Sequence, residues 1–328
     1  IDSITGRVIG DATIFSQEMI PSTWVWGDLG NYYGAGPSGL TIYDNLLQVS
    51  FNSGKNDGDP TEVACISPFL PYVHFNNKVK ASKVQKDLAY IYTAPYCPNK
   101  LVKGTIPKNE EDFIVKGTIH DPAYQAAYDF EYFLLKDSIG VRQNATTVRR
   151  LDLLGDTVSK QRIDIYTHQS PSLSRIAYWT NHVSVNLFAE HLLNQVGVKK
   201  YGDGSNYSGA LAVEKFWQSK IGSGIYVADG SGLSRHNAVS AYHLTEILQY
   251  MSKSKYSKSF YSSLPIAGKS GTMRSIGGGT AAAGNIRAKS GTMTRVKSYA
   301  GYCTTKSGKK VAFAMIINNY NCYTSTVK

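Results

Sequence analysis

Short apolar runs, broken by turn residues and prolines, dominate residues 1–165, and this texture predicts a β-rich region. The sequence Val-Lys-Gly-Thr-Ile occurs at 102–106 and again at 115–119, with the polar stretch 107–112 between the copies. Two similar strands on either side of a polar loop are typical of a β-hairpin. We therefore expect the two copies to pair with each other.

Apolar or aromatic residues spaced four apart predict helices elsewhere in the chain. Pro122 suits the first turn of a helix, and tyrosines follow it at that spacing. A second apolar row recurs every fourth residue from Phe188 to Val196, and Gly197 follows it as a stop signal. A third helix is expected over residues 237–251.

Two β-prone runs lie near the end of the sequence, at 298–304 and 311–318, and the polar turn 306–309 joins them. This pattern predicts a terminal hairpin. Because helices and strands alternate over residues 166–328, we expect an α/β (α+β) domain with an antiparallel sheet there. Residues 1–165 are expected to form a separate, β-rich part of the protein.

Composition excludes some classes of protein and leaves the partner open. Hydrophobic residues make up 42% of the chain and charged residues 18%, so the protein is globular rather than disordered. The longest clean apolar run, at 311–317, is far too short for a transmembrane segment. The formal net charge of +11 favours anionic partners, but the basic residues are scattered and do not indicate a nucleic-acid-binding protein. A solvated basic surface is the simpler interpretation.

The cysteines and histidines give no sign of a metal site. Cys65, Cys97, Cys303 and Cys322 lie far apart and form no Cys-x-x-Cys pair, and the histidines form no His-Glu-x-x-His motif. We expect no metal and no organic cofactor. Four cysteines allow several disulfide pairings, and buried free thiols are the simpler expectation.

The pentapeptide Lys-Ser-Gly-Thr-Met occurs at 269–273 and again at 289–293. The first copy follows Gly268 and so resembles the end of a phosphate-binding P-loop, but Ser263 stands where that loop requires a glycine. The second copy follows Ala288 and fails the same pattern. ATP or GTP binding is therefore not supported.

Lys-Ser-Gly beside a strand has another chemical use, which is anion recognition. A lysine ammonium and a hydroxyl together hold a carboxylate, and a glycine lets a substrate backbone approach the strand edge. The tripeptide alone is weak evidence, so its context matters. The copy at 289–293 runs toward the apolar strand predicted at 298–304, and two more polar stretches lie upstream, at 181–186 and 229–235.

Four stretches, in this order and spacing, resemble the class C, low-molecular-mass penicillin-binding proteins, the D-alanyl-D-alanine carboxypeptidase/endopeptidases. The likeness extends over nearly the whole chain. The stretches are residues 20–38 with Trp-Gly-Asp-Leu-Gly, residues 184–193 beginning Ser-Val-Asn, residues 229–235 with Asp-Gly-Ser-Gly-Leu-Ser-Arg, and residues 289–292 with Lys-Ser-Gly-Thr.

The resemblance implies both a fold and an activity. The fold would be a penicillin-binding, serine β-lactamase-like transpeptidase domain, with residues 1–165 as inserted accessory domains and residues 166–328 as the C-terminal part of the catalytic domain. The activity would be serine-type cleavage of the D-Ala-D-Ala bond of peptidoglycan stem peptides outside the cytoplasm, with cross-link endopeptidase activity as a further expectation. β-Lactams would be covalent inhibitors of the intact enzyme.

The family's Ser-x-Asn motif falls on Ser184 and Asn186. The resemblance implies that Ser184 relays a proton toward the leaving amine. Asn186 would hydrogen-bond the peptide group of the acyl part of the substrate.

The family's Lys-Thr/Ser-Gly motif falls on Lys289, Ser290 and Gly291, in the second pentapeptide copy. Lys289 would favour entry of the substrate carboxylate, and the Ser290 hydroxyl would bind it. The backbone N–H of Thr292 would form half of an oxyanion hole. The first copy, at 269–273, is expected to be a structural turn.

A pocket for the side chain of the stem peptide is a further implication of the resemblance. Asp28 would bind the ammonium of that side chain, and Arg235 its carboxylate. Trp26, Leu233 and Met293 would supply apolar walls. Packing in a core explains Trp26 and Leu233 equally well, and Asp28 would also serve to cap a turn.

The family's Ser-x-x-Lys motif supplies the attacking serine and is expected well before Ser184. No match precedes Ser184, and the matches that begin at Ser252 and Ser307 both follow it. We expect the segment with the nucleophile to be absent from this sequence, which would make the chain inactive on its own. The alternative is a non-catalytic relative that binds cell-wall peptides without cleaving them.

Overall fold

The structure, a computed structural model, describes residues 2–159 and 161–327. It divides into two compact units, one of Ile1–Ile163 with Val198–Asn206 and one of Asp164–Gly197 with Tyr207–Lys328. Residues 198–206 group with the first unit although they follow the predicted boundary. That the first unit is an accessory insertion stays a prediction.

The first unit is built from short strands with few helices. Its strands are β1 (Ser3–Ile4), β2 (Ile9–Gly10), β3 (Leu46–Ser53), β4 (Thr61–Ser67), β5 (His74–Ser82), β6 (Tyr90–Tyr92), β7 (Asn99–Pro107), β8 (Phe113–Thr118), β9 (Gly140–Val141) and β10 (Thr146–Thr147). Its helices are α1 (Trp26–Leu29), α2 (Pro122–Lys136) and α3 (Val148–Leu153), with 3₁₀ turns at Tyr32–Gly34 and Tyr43–Asn45.

Two three-stranded sheets share the core of this unit. One sheet has the order β4-β3-β8 and the other β5-β7-β6, while β1 pairs with β9 and β2 with β10 in parallel. Alternate residues of β3 (Leu47, Val49 and Phe51) are fully buried, as expected for a strand with one face in a core. They pack with Val102 of β7 and Val115 of β8 in a single apolar cluster.

The two Val-Lys-Gly-Thr-Ile copies do not form a hairpin, so that prediction was wrong. The first copy lies in β7, which pairs with β5 and β6, whereas the second begins in β8, which pairs with β3. The linker explains the difference. The N–H of Lys108 donates to the carbonyl of Ser82 in β5, and the N–H of Asn109 donates to that of Gly54, which directly follows β3, so the linker is held from both sheets.

Helix α2 begins as predicted, at Pro122. The Asp121 carboxylate caps it by accepting a hydrogen bond of 3.1 Å from the backbone N–H of Tyr124. Asp121 is almost fully buried and also pairs with Arg149 and Arg150 at 3.5 and 3.2 Å, so its charge has cationic partners.

The second unit combines helices with one antiparallel sheet. Its helices are α4 (Leu173–His182), α5 (Asn186–Tyr201), α6 (Asn206–Ile221), α7 (Ala241–Lys253) and α8 (Ser257–Ser263), with a 3₁₀ turn at Gly271–Met273. Its strands are β11 (Arg287–Met293), β12 (Val296–Thr304) and β13 (Lys310–Asn318), in the order β11-β12-β13. The predicted terminal hairpin is confirmed, because β12 pairs with β13 from Val296 opposite Asn318 to Thr304 opposite Lys310.

Two predicted helix ends were wrong. Helix α5 continues past Gly197 to Tyr201, and Gly197 is buried within it, so this glycine serves close packing rather than termination. Helix α7 begins at Ala241 instead of 237, because Ser240 caps it and Asn237 belongs to the loop before it. That loop is part of the site described below.

The four cysteines are free, as expected, but the expectation that they are buried was wrong, because none of them is fully buried. Cys65 and Cys322 are exposed, and Cys97 and Cys303 are half-buried. Within the described part of the chain, no helix combines the length and apolarity needed to cross a membrane.

Candidate active site

Ser184 lies between α4 and α5 in an unusual backbone conformation, with a φ of 62°. Non-glycine residues seldom adopt this left-handed conformation, and it is often found at functional sites. The preceding helix is fixed in place, since the Asn181 amide donates a hydrogen bond of 2.8 Å to the hydroxyl of Ser263 in α8. Asn186 is the first residue of α5, so both residues of the predicted Ser-x-Asn motif lie at this helix junction.

Lys289 of β11 joins this junction to the sheet. Its Nζ donates hydrogen bonds to the Ser184 hydroxyl oxygen at 2.8 Å and to the Ser290 carbonyl at 2.7 Å. Two predicted motifs that lie far apart in the sequence therefore meet at one hydrogen bond.

Burial, and secondarily the nearby Lys297 ammonium, lowers the pKa of Lys289 from 10.5 to about 8. At this pKa the amine both donates and accepts protons close to neutral pH, as proton transfer requires. Lys297 is a residue that sequence analysis missed. It lies opposite Thr292 in the β11-β12 register and donates a hydrogen bond to the Thr292 hydroxyl. A lysine inside an otherwise apolar strand is the signal that would have pointed to it.

The outer edge of β11 is open along the predicted motif. β11 pairs with β12 from Arg287 opposite Tyr302 to Met293 opposite Val296. On its other side, the backbone pairing given for the described residues lies at its start, where Ile266 bridges Arg287 and the N–H of Ala288 donates to the carbonyl of Pro265. The edge from residue 289 onward is therefore free to take an extended peptide, since exposed strand edges accept added strands.

Gly291 has a steric reason to be glycine. A Cβ at this position would lie 2.5 Å from the Ser298 hydroxyl oxygen on the neighbouring strand. The residue therefore keeps β11 and β12 close together beneath the motif.

The two Lys-Ser-Gly-Thr-Met copies adopt different conformations and contact each other. The first forms a 3₁₀ turn with Gly271 at a φ of 55°, while the second is a strand. The Ser290 hydroxyl donates a hydrogen bond of 3.1 Å to the Thr272 hydroxyl. The first copy is a turn, as expected, but it also forms part of the wall around the second copy. Lys269, the counterpart of Lys289, is exposed.

A cleft of about 490 Å³ opens at this point. Its walls are mostly hydroxyl-bearing, with one apolar side chain and one ammonium. The residues lining it are Ser184, Thr272, Ser275, Ile276, Ser290, Thr292, Lys297 and Thr324.

The loop over residues 229–235 is anchored by two buried carboxylates, which sequence analysis did not identify as such. Asp229 accepts hydrogen bonds from the N–H of Gly232 at 2.8 Å and from the Asn237 amide at 2.7 Å. Glu190 of α5 accepts hydrogen bonds from the N–H groups of Gly230 at 3.0 Å and Ser231 at 2.7 Å. Because Glu190 is one helical turn after Asn186, this anchor lies on the same face of α5 as the motif residue.

Burial, together with the nearby Asp229 carboxylate, raises the pKa of Glu190 from 4.5 to about 7. Glu190 is fully buried. A buried glutamate whose position is set by backbone donors was not recognisable from the sequence, since nothing there distinguishes it from an exposed helix residue.

The residues of the predicted side-chain pocket fall in both units. In the first unit, Trp26 is 59% exposed with its ring 4.8 Å from that of Tyr92, and Asp28 accepts a hydrogen bond of 3.3 Å from the Tyr33 hydroxyl. The high exposure argues against Trp26 as a core residue. In the second unit, Leu233 and Met293 are half-buried and Arg235 is exposed. Their grouping into one pocket stays a prediction.

The Ser-x-x-Lys matches at Ser252 and Ser307 lie away from this junction. Ser252 is in the last turn of α7, and its hydroxyl donates to the carbonyl of Gln249. Ser307 lies beyond Thr304, the last residue of β12. Thr304 is five residues along that strand from Tyr299, the partner of Ser290, and this corresponds to a distance of about 17 Å. A further match, at 325–328, begins beside Thr324 of the cleft, and its lysine lies outside the described residues.

The model of the D-Ala-D-Ala carboxypeptidase 3 (S13) family matches residues 1–327. Among curated relatives, the D-alanyl-D-alanine carboxypeptidase DacB of Haemophilus influenzae is 26% identical over 98% of this chain and 66% of its own length. The D-alanyl-D-alanine carboxypeptidase of Actinomadura sp. (strain R39) is 27% identical over 98% of this chain and 61% of its own length. The chain thus spans less than two thirds of the length of either relative.

Solved structures show the same likeness. The crystal structure of penicillin binding protein 4 (dacB) from Haemophilus influenzae is 25% identical, with a TM-score of 0.80 over 98% of this chain and 71% of that one. A structure of that protein complexed with a β-lactam is also 25% identical, with a TM-score of 0.71 over 87% of this chain and 65% of that one. The expected fold, a penicillin-binding domain with additional β-rich parts, is therefore confirmed.

Proposed function

We propose, since the chain belongs to the D-Ala-D-Ala carboxypeptidase 3 (S13) family, that it takes part in serine-type cleavage of the D-Ala-D-Ala bond at the end of peptidoglycan stem peptides. Both relatives described above are D-alanyl-D-alanine carboxypeptidases.

The observation that carries this proposal is the hydrogen bond of 2.8 Å from Lys289 to Ser184. In the acylation step, a serine hydroxyl gives up its proton, its oxygen bonds to the carbonyl carbon, and the C–N bond to the terminal D-Ala breaks. The leaving amine must then gain a proton. Lys289 and Ser184 form a chain that delivers one, and the lowered pKa of Lys289 suits that transfer. Water then hydrolyses the acyl ester and frees the shortened peptide.

Substrate binding is proposed to use the open edge of β11. The substrate carboxylate would lie at the Ser290 hydroxyl, with the Lys289 and Lys297 ammonium groups providing the positive field. Asn186 would bind the peptide group of the acyl part. The backbone N–H of Thr292 would stabilise the oxyanion, as one of two donors.

The partners follow from this chemistry. Stem peptides ending in D-Ala-D-Ala are the proposed substrates, and β-lactams, which mimic that end, are the proposed covalent inhibitors. The solved complex of the Haemophilus influenzae protein with a β-lactam supports the second point. Because these substrates occur in the cell wall, the proposed location is periplasmic or otherwise extracytoplasmic.

The alternative to the enzyme is a relative that binds cell-wall peptides without cleaving them. The lysine–serine hydrogen bond argues for the enzyme, since binding alone gains little from a proton relay.

Release of free D-Ala from diacetyl-L-Lys-D-Ala-D-Ala by the complete product of the gene separates the two functions. The enzyme releases D-Ala, and benzylpenicillin added beforehand stops the release. A binding relative retains affinity for the peptide and releases none.

A further inference from the structure

Helices α6 and α7 of the second unit contact each other through aromatic rings that are partly exposed. The ring centroid of Phe216 in α6 lies 6.1 Å from that of Tyr250 in α7, and the Trp217 centroid lies 5.4 Å from the same ring. Phe216 is 45% exposed and Tyr250 is 40% exposed. The Lys220 ammonium lies 5.9 Å from the centre of the Phe216 ring. The two helices therefore present aromatic and cationic groups together.

More exposed lysines and an aromatic ring follow Tyr250 in the turn that joins α7 to α8. Tyr256 in this turn is 61% exposed, and the Lys255 ammonium lies 5.1 Å from the centre of its ring. We call residues 215–220 and 249–258 the basic aromatic surface. Its exposed lysines are Lys215, Lys220, Lys253, Lys255 and Lys258.

The side chains of the basic aromatic surface carry charge of one sign. Residues 215–224 and 247–263 include no aspartate and no glutamate. The carboxylates that flank these segments have partners of their own. Glu214 accepts a hydrogen bond of 2.6 Å from the N–H of Val227, and Glu246 accepts one of 3.2 Å from the Gln249 amide. The contact between α6 and α7 thus brings together lysines that look scattered in the sequence.

The exposed rings indicate which kind of anionic partner fits this surface. Lysine and tyrosine side chains combine an apolar body with a polar end, which suits the boundary between water and the interior of a bilayer. Phe216 has no polar side-chain atom, so its exposed ring gains most from a partner with an apolar interior. A soluble polyanion has no such interior. Lysines near an anionic leaflet are also attracted by its negative surface potential.

We propose that the basic aromatic surface docks the protein on a membrane that contains anionic phospholipids. The lysines lie among the headgroup phosphates, and the rings of Phe216, Tyr250 and Tyr256 enter the interfacial region. The inference goes beyond the proposed reaction and does not depend on it, because none of these residues lines the cleft at Ser184. Docking keeps the unit that carries Ser184 and Lys289 at the membrane surface.

Co-sedimentation of the complete gene product with lipid vesicles tests this surface. One set of vesicles contains phosphatidylglycerol and phosphatidylcholine in equal amounts, and the other contains phosphatidylcholine alone. The wild type is expected to bind the first set, and added salt is expected to weaken that binding. The double variant Lys253→Gln with Lys255→Gln should bind about tenfold more weakly or worse, since each lysine near an anionic surface contributes about fivefold. Phe216→Ser should weaken binding by about fivefold.

Lys78→Gln with Lys80→Gln is the matched control for charge. These lysines of β5 are exposed, have the same spacing as Lys253 and Lys255, and belong to the other unit. The control should bind the anionic vesicles to within about twofold of the wild type, as expected for neutral surface substitutions. Circular dichroism checks that each variant folds.

The proposal is supported if the wild type binds only the anionic vesicles and both surface variants lose affinity while the control does not. It is overturned if the wild type binds neutral vesicles equally well or binds neither set, or if the control loses as much affinity as Lys253→Gln with Lys255→Gln. Unchanged binding by Phe216→Ser would also overturn it, and displacement by inorganic polyphosphate would then indicate a soluble polyanion as the partner. Penicillin labelling should be the same in every variant, so failure of the proposed function is detected separately.

Discussion

Lys289 and Ser184, which are 105 positions apart in the sequence, are joined by a hydrogen bond of 2.8 Å. This contact links the open edge of β11 to the junction of α4 and α5. The strand edge can hold a peptide in extended form, and the junction places a hydroxyl beside it. The arrangement therefore combines substrate binding with a route for a proton, which is the basis of the proposed activity.

The pH dependence of acylation is expected to reflect Lys297 as well as Lys289. The rate falls as pH rises through the pKa of Lys289, about 8, because the ammonium form attracts the carboxylate and supplies the proton. The Lys297 ammonium contributes to the lowering of that pKa. Lys297→Gln removes the charge, so the pKa of Lys289 rises and the basic limb moves to higher pH. Stopped-flow measurement of penicillin acylation against pH checks this, and an unmoved limb would contradict it.

Gly291→Ala is expected to destabilise the second unit by about 1 kcal/mol, since the added methyl group would overlap the Ser298 hydroxyl. The Ser298 Cβ lies 3.8 Å from the position that the new Cβ would occupy, an ordinary contact distance. The double variant Gly291→Ala with Ser298→Ala should therefore recover the lost stability. Urea unfolding of the single and double variants measures this, and a double variant no more stable than Gly291→Ala would refute the steric explanation.

Glu190 is expected to make stability depend on pH in a defined direction. Its folded-state pKa of about 7 lies above the ordinary value of 4.5, so between these values the folded state holds more protons than the unfolded state. The contribution of Glu190 to the free energy of unfolding therefore decreases as pH rises through this window. Glu190→Gln should therefore reduce the dependence of the free energy of unfolding on pH in this window, as measured by chemical unfolding at several pH values.

Glu246→Gln serves as the control for this prediction. Glu246 is a partly exposed carboxylate of α7 that accepts a hydrogen bond only from Gln249 among the contacts described for it. Its substitution should leave the pH dependence of the free energy of unfolding unchanged. Equal slopes in the wild type and in Glu190→Gln would show that the raised pKa of Glu190 has no effect on stability.

Neither Ser252 nor Ser307 is expected to be the attacking serine. Ser252 lies in the last turn of α7. Ser307 lies beyond Thr304, the end of β12, which is about 17 Å along the strand from the position that faces Ser290. Ser252→Ala and Ser307→Ala should retain penicillin labelling of the complete gene product to within about twofold, the range of neutral surface substitutions. Loss of label in either variant would place the nucleophile there. Mass spectrometry of the labelled peptide identifies the serine directly.

The sequence predicted the motif residues but not everything that positions them. Repeated pentapeptides took different conformations, because Gly271 adopts a positive φ while the second copy is paired along β12. The five residues are identical in the two copies, so the local sequence alone does not predict the difference in conformation. Likewise, a glycine after an apolar row is typical of a helix end, but Gly197 is buried within α5. Its role depends on the packing around it.

The supporting residues escaped prediction for a related reason. Glu190 acts through backbone N–H groups of a loop forty residues away, at Gly230 and Ser231. Lys297 acts through its place opposite Thr292 in the sheet register. Both roles depend on tertiary pairing, which no periodicity in the sequence encodes.

Covalent labelling of the complete gene product by a fluorescent penicillin tests the central claim most directly, with Lys289→Ala compared against Lys269→Ala. The two lysines have the same local sequence, but only Lys289 contacts Ser184. The proposed mechanism predicts that the rate of labelling falls by about 10²-fold or more in Lys289→Ala and changes little in Lys269→Ala. Equal rates in the two variants would contradict it.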